Sequence, residues 1–334
     1  MKTFSIFAAA MAFAAVANAQ APTNTFTRAP RGLYTPLTPN GPNSLGAGAN
    51  AGTFSPTYSA YSQDSYIQQT GSDNYSNVNQ IDNRSGSLAA GSGSTATLTQ
   101  SGNQNNAFQT QMLNSGSNMS NGRNFMGSTQ AGNRSTSTQT QNNGFANAAV
   151  VQQGVGSSDN AATQTQSGFD NGLRITQSRY TGYPSGSTGN RATQTQTGSM
   201  NLGIIEQQGR NSHAAQTQGG YFNDAYIGQG SDGVGNTALQ VQTATAQFNN
   251  ARIRQSVGTA MNASNNNFAR QTQSGHGDQA DIEQRSSSNY AEQVQSGPGA
   301  YYQNNNSQIL QEHVSSAAYT TQSGNLNTAI VHQH

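Results

Sequence analysis

From about residue 63 onward, the chain alternates restricted and variable positions with a period of two, the period of an extended strand. The alternation is anchored by glutamine. Twenty-one glutamines, from Gln69, Gln80, Gln100 and Gln111 to Gln311, Gln322 and Gln333, recur at a minimum spacing of eleven residues; no gap exceeds twenty. Six residues before every one of these glutamines except Gln69 stands Asn, Ser or Asp, as in Asn171, Asn201, Asn223, Asn249 and Asn327. Four before it the residue is usually small, as in Ala149, Ala225, Ala251, Ala280 and Ala329. The positions between vary and carry most of the charge. The pattern predicts strands with an inward and an outward face, and it contains no stripe at 3.6 residues that a helix would need.

The strands are of two alternating kinds. Odd arms end at Gln177, Gln207, Gln229, Gln255, Gln284, Gln311 and Gln333, and carry a branched apolar residue two positions earlier: Ile175, Ile205, Ile227, Ile253, Ile282, Ile309 and Val331. Ser128 breaks this series. Even arms end at Gln196, Gln218, Gln242, Gln273, Gln295 and Gln322, and most put a second glutamine two positions earlier, as in Gln194, Gln216, Gln240, Gln271 and Gln293. The repeat is therefore about 22 residues, a strand, a tight turn and a second strand; it occurs about ten times, with a final half-turn ending at His334. One such unit cannot bury a face alone, but stacked copies share a core. The predicted fold is all-β: a parallel solenoid of two sheets, odd arms on odd and even on even.

Its core would be thin, built from Ala, one Ile stripe, and ladders of Asn and Gln. A buried amide without a partner costs roughly 1–3 kcal/mol. Identical amides stacked about 4.8 Å apart can bond one another and the turn backbone. Ten turns at that rise give a rod on the order of 50 Å long. Charge tests the register. Arg252 and Arg254 align with Asp281 and Glu283 one turn later, and Arg270 aligns with Glu292. We expect these three pairs on the outer face, exposed and worth only about 0–1 kcal/mol each.

Composition narrows the reading. There is no cysteine, so neither a disulfide framework nor a zinc ribbon is possible. Apart from Lys2, thirteen Arg face thirteen Asp plus Glu, which leaves no basic footprint for nucleic acid. Near-neutral, amide-rich composition points to β-assembly. Residues 1–19 have the form of a secretory signal: Lys2, the apolar run Phe4 to Val16, and Ala17-Asn18-Ala19 before a cut between Ala19 and Gln20. Residues 20–62 hold six of the eight prolines and read as a flexible leader, because proline cannot donate to a strand ladder. The other two, Pro184 and Pro298, fall in insertions at 179–188 and 297–303. The solenoid is assigned to residues 63–334.

An exported chain of Ser/Asn-x-Ala-x-Ile-x-Gln-x-Gly units resembles the curlin family. The best-matched stretches are Asn201 to Gly220, Asp278 to Gly297 and Asn305 to Gly324; the resemblance spans residues 63–334. It implies a bacterial extracellular amyloid subunit that adds to fibre ends, binds cells into biofilm, and forms a cell-surface fibre. The partners it implies are further copies of the chain, a nucleating subunit and an outer-membrane secretion channel. The chain departs from the family in its longer, Pro-rich leader, in having about twice the turns, and in the loops that interrupt several of them.

The last half-turn, Asn327 to Gln333, contains no Asp, Glu, Arg, Lys or Pro, the residues that usually protect a sheet edge. It complements the first turn, Gln63 to Gln80, of another copy, and such head-to-tail contacts propagate filaments. Deleting residues 327–334 is expected to slow fibre growth. Asp82, Arg84, Asp159, Asp170, Asp224 and Asp232 lie near turns, as gatekeepers against premature aggregation or as solvated turn residues.

Catalytic chemistry is missing. No HExxH, GxSxG or converging carboxylate pair is present, no cofactor or metal site is expected, and His332 and His334 read as tail residues. The chain is not expected to be an enzyme. A rival reading is a non-polymerising adhesin or ice-binding protein, because Thr138/Thr140, Thr163/Thr165 and Thr193/Thr195 form a Thr-x-Thr array on three even arms.

Overall fold

A computed structural model describes residues 26–27, 53–54, 63–82, 94–113, 124–178, 187–230, 233–255, 264–297 and 305–334. The signal segment with its Ala19/Gln20 cut, nearly all of the leader, and Arg84, Pro184, Asp232 and Pro298 lie outside them. Every regular element among the described residues is a strand. Two residues, Phe26–Thr27, pair antiparallel with Thr53–Phe54. All other pairing is parallel, in two sheets of eleven and ten strands. The larger sheet takes every odd arm, from Gln63–Thr70 to Thr328–Gln333, and the smaller every even arm, from Tyr75–Asp82 to Ala317–Ser323.

The register follows the glutamines. Ile227, Ile253, Ile282, Ile309 and Val331 pair in succession, and so do Gln229, Gln255, Gln284, Gln311 and Gln333. The isoleucines of the odd sheet pack on the alanines of the even sheet, Ile253 and Ile282 among Ala238, Ala269 and Ala291, all fully buried. Small residues on one side let the sheets approach; branched residues on the other fill the gap. Where the series breaks, the opposite sheet compensates. Ser128, among the Ile positions, hydrogen-bonds Ser137 (Oγ–Oγ 3.0 Å), which replaces the usual alanine. Ser307, at an odd-sheet alanine position, pairs similarly with Thr320, which replaces the inner glutamine of its even arm, at 2.7 Å.

The turns add a rule that residue types conceal. In every described arm whose seventh residue before the glutamine is visible, that residue has positive φ. Glycine fills the position at Gly189, Gly235 and Gly277, but Met200 (58°), Phe222 (56°), Phe248 (57°) and Leu326 (58°) fill it elsewhere. Left-handed backbone costs a non-glycine residue roughly 1–2 kcal/mol. Part of that is offset because these N–H groups donate to the preceding turn, as Phe248 N does to Tyr221 O at 3.0 Å, and because Phe222 and Phe248 stack at 5.0 Å. The glycine two residues after many of the glutamines has a steric reason. A Cβ on Gly198 would stand 2.1 Å from Gly220 O, and one on Gly220 would stand 1.9 Å from Ala246 O.

Candidate functional site

The candidate site is the stack itself, with its two ends. Each odd glutamine donates Nε2 to Oε1 of the next: Gln177 to Gln207 at 2.8 Å, Gln207 to Gln229 at 2.8 Å, Gln229 to Gln255 at 2.9 Å, Gln255 to Gln284 at 2.8 Å, Gln284 to Gln311 at 2.9 Å, and Gln311 to Gln333 at 2.9 Å. The second N–H goes to backbone, as from Gln255 to Thr237 O at 3.0 Å. The even sheet carries two such ladders. One runs through Gln196, Gln218, Gln242, Gln273, Gln295 and Gln322, with rungs of 2.6 to 3.0 Å. The other runs through Gln194, Gln216, Gln240, Gln271 and Gln293, with rungs of 2.8 to 2.9 Å. Buried polar groups are costly only when unpaired, and here the rung bond is always made and in most of these glutamines the second N–H is bonded too.

The asparagines form a fourth ladder at the turn. Asn171 Oδ1 accepts from Asn201 N (3.1 Å), Asn201 Oδ1 from Asn223 N (2.9 Å), and Asn223 Oδ1 from Asn249 N (3.0 Å). Their Nδ2 groups donate to turn carbonyls, as from Asn249 to Gly275 at 2.9 Å. Asn327 ends the series, its N–H on Asn305 Oδ1 at 3.1 Å. Asp278 is the one acid among these rungs. Its Oδ1 accepts from Asn305 Nδ2 at 3.0 Å, but Oδ2 meets only a poorly aligned Gly275 N–H. Desolvation raises this carboxyl above the usual aspartate range, against the hydrogen bonds from Asn305.

Asp278→Asn is therefore expected to stabilise the chain by about 1–3 kcal/mol at pH 7, since Nδ2 regains the turn carbonyl. Because the folded pKa is raised, the folded state binds the proton more tightly. Wild-type stability should fall as pH rises from about 3.9 through the folded value, and the asparagine variant should lack that slope. Urea midpoints across this range check both. Equal slopes would show that Asp278 titrates normally.

The three charge pairs form in the expected register, but two are not exposed. Arg252 and Asp281 are bonded through two guanidinium nitrogens, one at 3.0 Å, with side chains 0% and 10% exposed. Arg254 meets Glu283, whose side chain is 1% exposed. Only Arg270–Glu292, on the even sheet, is a surface pair, at 3.4 Å. The reason is that the outer face of the odd sheet is itself a buried layer. Leu202, Ile204 and Tyr226 cluster there, and Val150 and Phe125 are fully covered. No described strand packs over it. Outward positions of the even sheet remain half-exposed. In the odd layer Arg174 pairs with Glu206, and Glu206 accepts from Tyr226 OH at 3.0 Å, with desolvation raising the Tyr226 phenol. These pairs therefore do more than mark register: removing one partner of a buried pair costs about 3–5 kcal/mol, far above the surface value. Asp224, read as a turn residue, is likewise buried on this face, whereas Asp159 pairs with Arg134 at the surface at 2.7 Å.

The threonines expected as an array do align: Thr138, Thr163 and Thr193 pair in succession, as do Thr140, Thr165 and Thr195. The rank is interrupted on both sides by Phe108 and Ala215.

At the ends no described strand covers the stack. The outward Ile330 of the last strand is 47% exposed and Ile67 of the first is 46% exposed, while their counterparts inside the stack are buried. The glutamine ladders are polar: each Gln–Gln rung donates toward the C-terminal end, so the tail presents glutamine N–H and the head presents glutamine oxygen. No protein-family model matches the chain, and no curated protein is similar enough to count as a relative.

Proposed function

We propose that the chain is a secreted structural subunit that polymerises head to tail into extracellular, curlin-type amyloid fibres serving adhesion and biofilm matrix. The observation that carries this reading is the polarity of the glutamine ladders at two ends that no described strand covers. Gln333 Nε2 at the tail is a donor facing outward; Gln69 Oε1 at the head is an acceptor. Head-to-tail stacking continues the odd-sheet glutamine ladder, whereas head-to-head stacking sets oxygen against oxygen. Such a contact is heterologous and does not close, so it builds filaments. The described stack runs from one odd strand to another, so such a junction would leave the even sheet one strand short. A nucleating subunit and an outer-membrane channel are the further partners that the family resemblance suggests.

The test is to purify residues 20–334 and follow thioflavin fluorescence together with fibre diffraction. Assembly should give reflections near 4.8 Å along the fibre and near 10 Å across it. A monomer that stays soluble and unassembled for days sinks the reading. A second reading, a non-polymerising adhesin or ice-binding protein, draws on the aligned Thr-x-Thr rank; thermal hysteresis by such a monomer would favour it.

A further inference from the structure

We propose that Glu312, His332 and His334 form a binding site for a late first-row divalent metal, of which zinc is the test case. The repeat brings the three together. His332 lies on the last odd strand and His334 just follows it, while Glu312 follows the strand one turn below, where Leu310 pairs with His332 and Gln311 with Gln333. One ligand atom from each residue lies within 4.8 Å of the other two. Both imidazoles face one carboxylate oxygen: Glu312 Oε2 is 3.0 Å from His334 Nδ1 and 3.5 Å from His332 Nε2. Ligand atoms of a tetrahedral zinc site with bonds of about 2.05 Å stand roughly 3.3 Å apart, so both separations bracket the required one.

The carboxylate is held for this task. Its other oxygen, Oε1, accepts from Arg285 Nη1 at 2.5 Å, and Arg285 is itself bonded to Glu283 at 2.6 Å. That pairing fixes the Glu312 plane and leaves Oε2 toward the histidines, the kind of outer partner that orients metal ligands. Two imidazoles and one carboxylate, with the remaining side open, suit zinc, copper(II) or nickel. The site is complete within one copy of the chain, so it stands or falls apart from the proposed polymerisation.

The test is titration of the full, untagged chain with Zn(II) in competition with a chromophoric chelator, and with Co(II) followed by its visible absorption. One equivalent should bind. His332→Ala, His334→Ala and Glu312→Gln should each weaken binding by about tenfold or more, and His332→Ala/His334→Ala together should abolish the Co(II) spectrum. His213→Ala and His276→Ala should leave binding unchanged. Hydrogen-exchange protection of Ala317–Ser323 checks that the variants keep the end of the coil folded. No bound zinc in the parent chain, or full binding in the double histidine variant, overturns the proposal.

Discussion

Gln255→Leu should destabilise the solenoid by about 2–4 kcal/mol, although it replaces a polar residue in the core with an apolar one. In a globule that exchange would be neutral or favourable. Here Gln255 Nε2 supplies hydrogen bonds to Gln284 Oε1 and Thr237 O, and its Oε1 accepts from Gln229 Nε2. Leucine leaves Gln284 Oε1 and Thr237 O without these donors in a site where Gln255 is wholly buried. Each abandoned polar atom costs its desolvation, and the transfer gain of one leucine does not cover two. Gln255→Glu separates this account from a steric one. An ionised glutamate keeps the shape and the acceptor but cannot donate. Burial raises its folded pKa, so stability should be poorest at neutral pH and recover as pH falls toward about 4.3, where the protonated acid can donate again. Urea unfolding, with hydrogen exchange of Asn250–Gln255, measures both. A leucine variant as stable as the parent would show that the ladder is incidental.

This result would also explain why so much of the fold is legible in the sequence. A ladder needs the same residue at the same place in every turn, so Gln229, Gln255 and Gln284 announce their contact by repetition, and Ile253 and Ile282 follow from spacing alone. The left-handed turn position is not legible for the converse reason. Backbone conformation, not a side chain, is what repeats there, and Met200, Phe222 and Leu326 share a φ without sharing chemistry. The Ser128–Ser137 exchange hides similarly: each serine looks like a defect until the two are placed opposite one another. The burial of Arg252, Asp281 and Glu283 was beyond alternation, which assigns a residue to a face but does not say whether that face is covered. Glu312 was within reach. It lies 22 residues before His334, one full repeat, and a search for ligand types at that offset would have joined it to the histidine pair.

Val331→Lys should slow fibre elongation by about tenfold or more while leaving the monomer folded, an effect of at least about 1.4 kcal/mol at the docking step. Val331 stands at the inward position of the last strand, paired on one side with Ile309 and only partly buried. In the monomer a lysine there can turn its ammonium past the open end into water, so the fold loses little. Once a second copy stacks its Gln63–Thr70 strand on that edge, the ammonium is caught between Ile67 and Ile309 beside Ala318. A buried charge with no partner costs several kcal/mol. The substitution thus penalises the docked state and spares the free one, which is how natural edge strands are guarded. Deleting residues 327–334 is the coarser version and should also slow growth, but it presents Ile309 and Gln311 as a new flush end, so its effect should be the smaller. Seeded elongation rates read by thioflavin, with circular dichroism of the unseeded monomer, distinguish the cases. If Val331→Lys elongates at the parent rate while the monomer is folded, copies do not meet through this edge, and growth must use another surface.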